Sequence, residues 1–265
     1  MLSCQHLSIQ RGQKTILEDI NFTLKEGEFT VLLGENGAGK STLLSAICGD
    51  IPFGGDILLD GKALHSLDYQ TLATKRAVLL QNNRVNFAFS AAQLIAMGRY
   101  PYHEPLHQQT QVVNKLIAQL NLEKLAPRDV TALSGGEFQR VQFARCLAQL
   151  DAHKSSTRAK LMLLDEPTSA LDMHHQHLTL SKAKEFAQQG NTVVAVLHDL
   201  NLTSLYADRV LLLNQGKLSH DGKPQEVLQH SVLQPIYKTD MQITTHPNYQ
   251  IPMIFSEPQR GVTHA

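Results

Sequence analysis

The 265-residue sequence has no excess of either charge, few cysteines and no long apolar run. Lys+Arg and Asp+Glu number 24 each, which argues against a broad surface for coating DNA or RNA, since that needs a basic excess. The three cysteines (Cys4, Cys48, Cys146) are odd in number, far apart and in no C-x-x-C pairing. They read as a reducing, cytosolic compartment rather than a disulfide framework. No stretch of ~18 apolar residues occurs, and residues 1–13 hold no apolar core of signal-peptide length. We therefore expect neither a membrane span nor export by that route, so any work at a membrane would pass through a partner. A chain of this length can bury a large core without disulfide or metal staples, either as one α/β domain or as a core with a small subdomain.

Residues 2–10 and 16–24 alternate in a strand-like way around a turn at 11–14, which predicts an N-terminal antiparallel β-subdomain. The apolar run 29–33 leads directly into a glycine-rich loop, and after it Leu43, Leu44, Ile47 and Cys48 recur at helical spacing. Strand, glycine loop and helix open a βαβ unit. Buried strands are also expected at 161–164 and 192–197, so the core is predicted to be α/β with a parallel sheet. Helix-like stretches at 91–98, 108–120 and 135–150, broken by Pro101, Pro105 and Pro127, predict a helical subdomain inserted at about 83–150. The tail, 231–265, carries four prolines and reads as an irregular appendix after a domain spanning 2–230.

Three segments carry chemistry. Gly34, Glu35, Asn36, Gly37, Ala38, Gly39, Lys40 and Ser41 fit G-x-x-x-x-G-K-[ST], after a strand and opening a helix. Backbone N–H groups in such a loop converge on phosphate oxygens, and the helix N-terminus adds partial positive charge. Lys40 is placed for the β/γ-phosphates and Ser41 for Mg²⁺. The apolar run 161–164 ends in Asp165 and Glu166, where Asp165 can hold Mg²⁺ and Glu166 can polarise a water for attack on a γ-phosphate. Ser134, Gly135 and Gly136 open another helix; this is a second possible anion nest, although Ser134 is also an ordinary N-cap with Glu137 as capping-box partner.

In order, the glycine loop, Gln81, Leu133-Ser134-Gly135-Gly136-Glu137, Asp165-Glu166, Ser169-Ala170-Leu171-Asp172 and His198 resemble the ATP-binding subunits of ABC transporters over residues 2–230. The resemblance implies a P-loop NTPase core binding ATP and Mg²⁺ in a homodimer that pairs head to tail. Each ATP would lie between one copy's loop, Gly34 to Thr42, and the other copy's Ser134, Gly135 and Gly136. It further implies Gln81 and His198 as γ-phosphate sensors, Gln81 beside the metal with Ser41 and Asp165, and Asp172 along the dimer seam. Family members often stack an aromatic on adenine near the end of the first strand; here Arg11 stands in that segment and could stack its guanidinium instead. Residues 151–160 lengthen the link before the Asp165 strand and read as a solvated loop.

Within the family, Met97-Gly98-Arg99-Tyr100-Pro101-Tyr102 and His198-Asp199-Leu200-Asn201 resemble importers of iron chelates, haem and cobalamin. Tyr206 to Arg209, Pro224 to Leu228, Tyr237, Asp240 and His246-Pro247 favour the haem-import type. The implied partners are two copies of a membrane permease and, through it, a periplasmic substrate-binding protein. The implied place is the cytoplasmic face of the inner membrane, with no nucleic acid. Phe87, Phe89, Met97, Tyr100 and Tyr102 could face the permease, and Tyr100 and Tyr102, flanking Pro101, are the expected contacts. His174, His175 and His177 are expected to be solvated rather than haem ligands. DNA-acting and ribosome-acting relatives carry coiled coils, zinc modules or a second ATPase core, none visible here. Kinases and GTPases have no use for Leu-Ser-Gly-Gly-Glu or His198, and a dead module would not retain Lys40, Asp165, Glu166 and His198.

Overall fold

The computed structural model describes residues 1–81, 87–151 and 159–257. The elements begin with β1 (Leu2–Arg11), β2 (Lys14–Leu24), β3 (Phe29–Leu33), α1 (Lys40–Cys48) and β4 (Gly54–Leu59). Next come β5 (Lys62–Ala63), α2 (Tyr69–Lys75), β6 (Arg76–Leu79), α3 (Ala91–Met97), α4 (Leu106–Gln119) and α5 (Gly135–Leu150). They continue through β7 (Leu161–Asp165), α6 (Met173–Gln188), β8 (Thr192–Val196), α7 (Leu200–Tyr206) and β9 (Arg209–Asn214). The last are β10 (Lys217–Gly222), α8 (Pro224–Val227), α9 (His230–Tyr237), β11 (Met241–Thr245) and β12 (Pro252–Ser256). They form two compact units, one made of Met1–Gly61 with the described residues from Val196 onward, the other of residues 62–195.

In the first unit β1 pairs antiparallel with β2 and with β4, giving the expected β-subdomain. Leu2, Cys4, Leu7 and Ile9 of β1 are all buried because the register shifts between Cys4 and Leu7, where His6 has φ +49°, and this irregularity returns the apolar residues to the covered face. β3 is buried on both faces and lies parallel to β9, with Val31 opposite Val210 and Leu33 opposite Leu212. A continuous apolar run is what a doubly covered parallel strand requires. Arg209 at the start of β9 forks onto Asp221 of β10 at 2.6 and 2.7 Å and donates to the Thr23 carbonyl at 2.6 Å. Asp208 accepts from the Phe29 N–H at 2.9 Å. Asp208 and Arg209, read as pointers to a transporter subtype, thus also fasten β2, β3, β9 and β10.

The described part of the tail, through Glu257, forms regular elements, which corrects the expectation of an irregular appendix there. α9 is followed by a hairpin in which β11 and β12 pair residue for residue, Ile243 opposite Ile254. The Asn201 side chain holds that hairpin to α7 by donating to the Ile254 carbonyl at 3.0 Å and accepting from its N–H at 2.8 Å. Ser204 adds a bond to the Pro252 carbonyl at 2.6 Å. Pro258 lies outside the described residues.

In the second unit β6 and β7 run parallel, with Val78 opposite Leu163, and the strand order is β8-β7-β6. The three helices expected in the insert are present as α3, α4 and α5. They bury Leu94 and Ile95, Val112 and Leu116, Val141 and Phe143 against one another. Residues 152–158 of the lengthened link lie outside the described residues.

From Gly98 to Tyr102 the segment after α3 is packed inward except at Tyr100. Arg99 is 1% exposed, forks onto Glu104 at 2.7 and 2.6 Å, and donates to the Ala148 carbonyl at 2.6 Å and to the Asp151 carbonyl. Its guanidinium stacks 4.2 Å from the Tyr102 ring. Tyr102 donates to the Gln149 carbonyl at 2.8 Å and accepts from Lys160 at 3.2 Å. Tyr102 is therefore a half-buried brace, which corrects its assignment to a partner surface. Tyr100 and Phe87 are each 72% exposed, whereas Phe89 and Met97 are half-buried.

Removing one partner of a buried pair strands the other charge, which costs about 3–5 kcal/mol. Arg99→Met should lower the unfolding free energy by that amount, and adding Glu104→Gln should recover part of it. Denaturant titration checks this; an unchanged midpoint for Arg99→Met would contradict the assignment of Arg99 to the core.

Candidate functional site

In the first unit the glycine loop starts where β3 ends. Gly34 has φ +144°, and a Cβ there would lie 2.3 Å from the Leu213 carbonyl oxygen. Only glycine lets β3 turn away this close to β9. The loop then runs into α1, whose N-cap Gly39 supplies no side-chain cap. The first-turn N–H groups of α1 have no partner further back in the helix, so this end is suited to an anion. Lys40 is 6% exposed and folds over the loop, donating from Nζ to the carbonyls of Gly34 at 2.7 Å and Glu35 at 2.9 Å.

A cavity of about 490 Å³ beside α1 is lined by Arg11, Gly12, Ile16, Ser41, Thr42 and Pro52, among others. Its size suits a nucleoside-sized group. The structure thus brings Arg11 to the same cavity as Ser41 and Thr42, with the Arg11 side chain exposed. His198 also belongs to this unit; it is exposed, between β8 and the start of α7. The next residue, Asp199, caps α7 by accepting from the N–H groups of Asn201 and Leu202 at 2.8 and 2.9 Å.

In the second unit β7 is buried along its whole length and delivers Asp165, 7% exposed, to its carboxyl end. Glu166 follows in a left-handed conformation, φ +50°. For an L-residue such a backbone costs about 1–3 kcal/mol and persists only where its surroundings hold it. The Glu166 carbonyl accepts from Gln139 Nε2 at 2.8 Å, Ser169 Oγ at 3.1 Å and Ser169 N–H at 3.3 Å. Its carboxylate accepts from Gln81 Nε2 at 2.6 Å. Gln81 and Glu166, 85 residues apart, are brought together as the expected sensor and the expected base.

A second cavity, about 440 Å³, gathers Ser134, Gly135, Gly136, Arg140, Asp172 and His175. Ser134 and Glu137 form a reciprocal capping box at the start of α5, at 2.8 and 3.3 Å. The Ser134 backbone N–H, the largest influence, holds the Glu137 carboxyl below its usual range, with the Ser134 hydroxyl and Arg128 adding to it. A Cβ at Gly136 would sit 2.5 Å from the Ala170 carbonyl oxygen, so glycine is needed for α5 to begin this close to the Ser169–Asp172 loop. Asp172 caps α6, accepting from the His175 N–H at 2.9 Å and touching its ring Nδ1 at 2.8 Å. These bonds, the backbone one first, lower the Asp172 pKa. His174 is exposed as expected, whereas His175 is engaged with Asp172 and only half exposed.

Each unit by itself offers an oxygen donor of the kind Mg²⁺ requires, the Ser41 hydroxyl in the first and the Asp165 carboxylate in the second. Sequence reasoning gave no role to Gln139 or His175. Gln139 stands two residues after Glu137 in the same segment, but only the folded chain shows its amide on Glu166.

The ABC transporter family profile matches residues 17–169. The hemin import ATP-binding protein HmuV of Idiomarina loihiensis is 41% identical over 259 residues, covering 98% of this chain and 100% of that protein. HmuV of Pseudomonas aeruginosa is 42% identical over 255 residues, covering 96% and 99%. Among solved structures, a metal-chelate type ABC transporter in an inward-facing conformation matches with TM-score 0.79 and 30% identity, covering 97% of this chain and 98% of that one. A dimeric ATP-binding cassette in a post-hydrolysis state with ADP and phosphate matches with TM-score 0.73 and 26% identity, covering 84% and 99%. With that profile across more than half its length and such relatives along nearly all of it, the chain belongs to the ABC transporter family, as an ATPase coupled to transport.

Proposed function

We propose that the chain is the ATP-hydrolysing subunit of a haem importer. The observation that carries the cargo is the 41–42% identity, over nearly the whole chain, to proteins named for hemin import. The metal-chelate type structure at 30% identity favours ferric siderophore as the second reading, with cobalamin beside it on the sequence resemblance.

In this reading the loop N–H groups and Lys40 grip the β- and γ-phosphates of ATP, with Gly34, Glu35, Asn36, Gly37, Ala38 and Gly39 forming the cradle. Arg11 lays its guanidinium plane against the adenine, and Thr42 stands beside Ser41 at the phosphates. Ser41, Asp165 and Gln81 hold Mg²⁺, which when bound neutralises charge on the β- and γ-oxygens. Glu166 takes the proton from the attacking water, and Gln81 and His198 register whether a γ-phosphate is present. Two copies sandwich the nucleotides, so that Ser134, Gly135 and Gly136 of one copy close on ATP held by the other, with Asp172 along the seam. Among the described residues no helix is long and apolar enough to cross a membrane. The work is delivered to two copies of a permease in the inner membrane, with the chain peripheral on the cytoplasmic face. The permease in turn meets a periplasmic binding protein. Phe87 and Tyr100 supply exposed aromatic area for that docking.

Glu166→Gln should keep MgATP binding and lose ~10²–10⁴ of turnover, and that variant should dimerise with ATP but less with ADP. Near-normal steady-state hydrolysis would remove Glu166 from its role. Phe87→Ala with Tyr100→Ala should leave ATP binding intact and weaken co-purification with the permease; full co-purification would place docking elsewhere. For cargo, turnover of the complex with its permease should rise with haem-loaded binding protein. A rise with a ferric siderophore or cobalamin complex instead would overturn the haem reading.

A further inference from the structure

We propose that Gln139 is a positioning residue for the hydrolytic step: its amide ties Glu166, read as the base, to the helix that begins at Ser134-Gly135-Gly136. The inference rests on the proposed role of Glu166. Among the donors described on the Glu166 carbonyl, the hydroxyl and the N–H of Ser169 come from three residues further along the same turn. Those two move with the turn and cannot fix its orientation. Gln139 Nε2, at 2.8 Å, comes from α5, 27 residues away in sequence. It anchors the left-handed peptide of Glu166 to an element outside its own loop.

The other end of Glu166 is held too, by Gln81 Nε2 on the carboxylate at 2.6 Å. A residue pinned at its carbonyl and at its carboxylate has little freedom left in the torsions between them. The orientation of the Gln139 amide is itself determined. Turning it over would set oxygen against the Glu166 carbonyl oxygen, and in the orientation present its Oε1 is buried with no hydrogen-bond partner among the described residues. Leaving a buried acceptor unsatisfied is unfavourable, so the side chain is kept in place by what its donor does.

Gln139 lies about one turn of helix beyond Gly136, whose close approach to Ala170 already fixes the start of α5 against the Ser169–Asp172 loop. In a sandwich dimer, Ser134 to Gly136 would meet the nucleotide of one site while Glu166 serves the other. Gln139 therefore gives the base a mechanical connection to the occupancy of the opposite site.

The test compares Gln139→Met, which keeps length and loses the donor, with Ser169→Ala and with both changes placed on Glu166→Gln. For Gln139→Met the kcat for ATP should fall about tenfold to a hundredfold, as misplacement of a reacting group does, with KM and the thermal midpoint little changed. Ser169→Ala should cost less. On the Glu166→Gln background, Gln139→Met should lower the residual single-turnover rate no further and leave MgATP affinity unchanged. An unchanged kcat for Gln139→Met would overturn the proposal. So would an equal further loss on the Glu166→Gln background, or a matching loss of nucleotide affinity there, since either is what a merely structural role produces. If Glu166→Gln itself retained turnover, the base assignment would fall first and this inference with it. Loss in Glu166→Gln with none in Gln139→Met would defeat this inference alone.

Discussion

Glu166 is an L-residue in a conformation that L side chains rarely adopt, at the point where a fully buried strand gives way to a loop. The arrangement of the second unit follows from that constraint. An extended backbone there would continue the strand past Asp165; the left-handed turn redirects the chain toward Ser169–Asp172. That loop is in turn where Gly136 must approach without a Cβ. Glutamines from two other elements hold the turn, Gln139 at the carbonyl and Gln81 at the carboxylate. Backbone strain at such a position is sustained by neighbouring contacts.

The first unit solves a different problem, concentrating backbone donors and one ammonium at the end of a strand. β3 supplies a rigid base because both its faces are covered. The loop leaves it through Gly34, and α1 begins without a side-chain cap, so its N–H groups are available to a ligand. Lys40 satisfies itself on the Gly34 and Glu35 carbonyls. A phosphate would compete for that ammonium by adding the attraction of an opposite charge, which neutral carbonyls lack.

The parts legible in the sequence were those encoded locally. The apolar run before Gly34, the glycine spacing to Lys40, the apolar strand ending in Asp165-Glu166 and the helical periods of α3, α4 and α5 each sit within a short window. What was not legible depends on distant partners. Tyr102 flanks a proline and looked like a loop aromatic, yet its ring lies on Arg99 and its hydroxyl reaches Gln149. The tail carries prolines; its hairpin is held to α7 by the Asn201 amide, 53 residues before Ile254, and by the Ser204 hydroxyl on the Pro252 carbonyl. Nothing in the segment around Gln139 reveals a carbonyl 27 residues away. For the same reason the sequence leaves His175 expected as a solvated histidine, whereas it closes on Asp172 one turn back.

Under the proposed function, hydrolysis at Glu166 is what moves the cargo. The direct measurement is haem accumulation by proteoliposomes carrying the complete importer, with MgATP on the side of the ATPase subunit and haem supplied by its binding protein opposite. Wild-type chain should accumulate haem in an ATP-dependent manner, and vesicles containing Glu166→Gln should bind nucleotide but accumulate none beyond the ATP-free level. Equal accumulation by both, or none by the wild type under conditions where it hydrolyses ATP, would contradict the account.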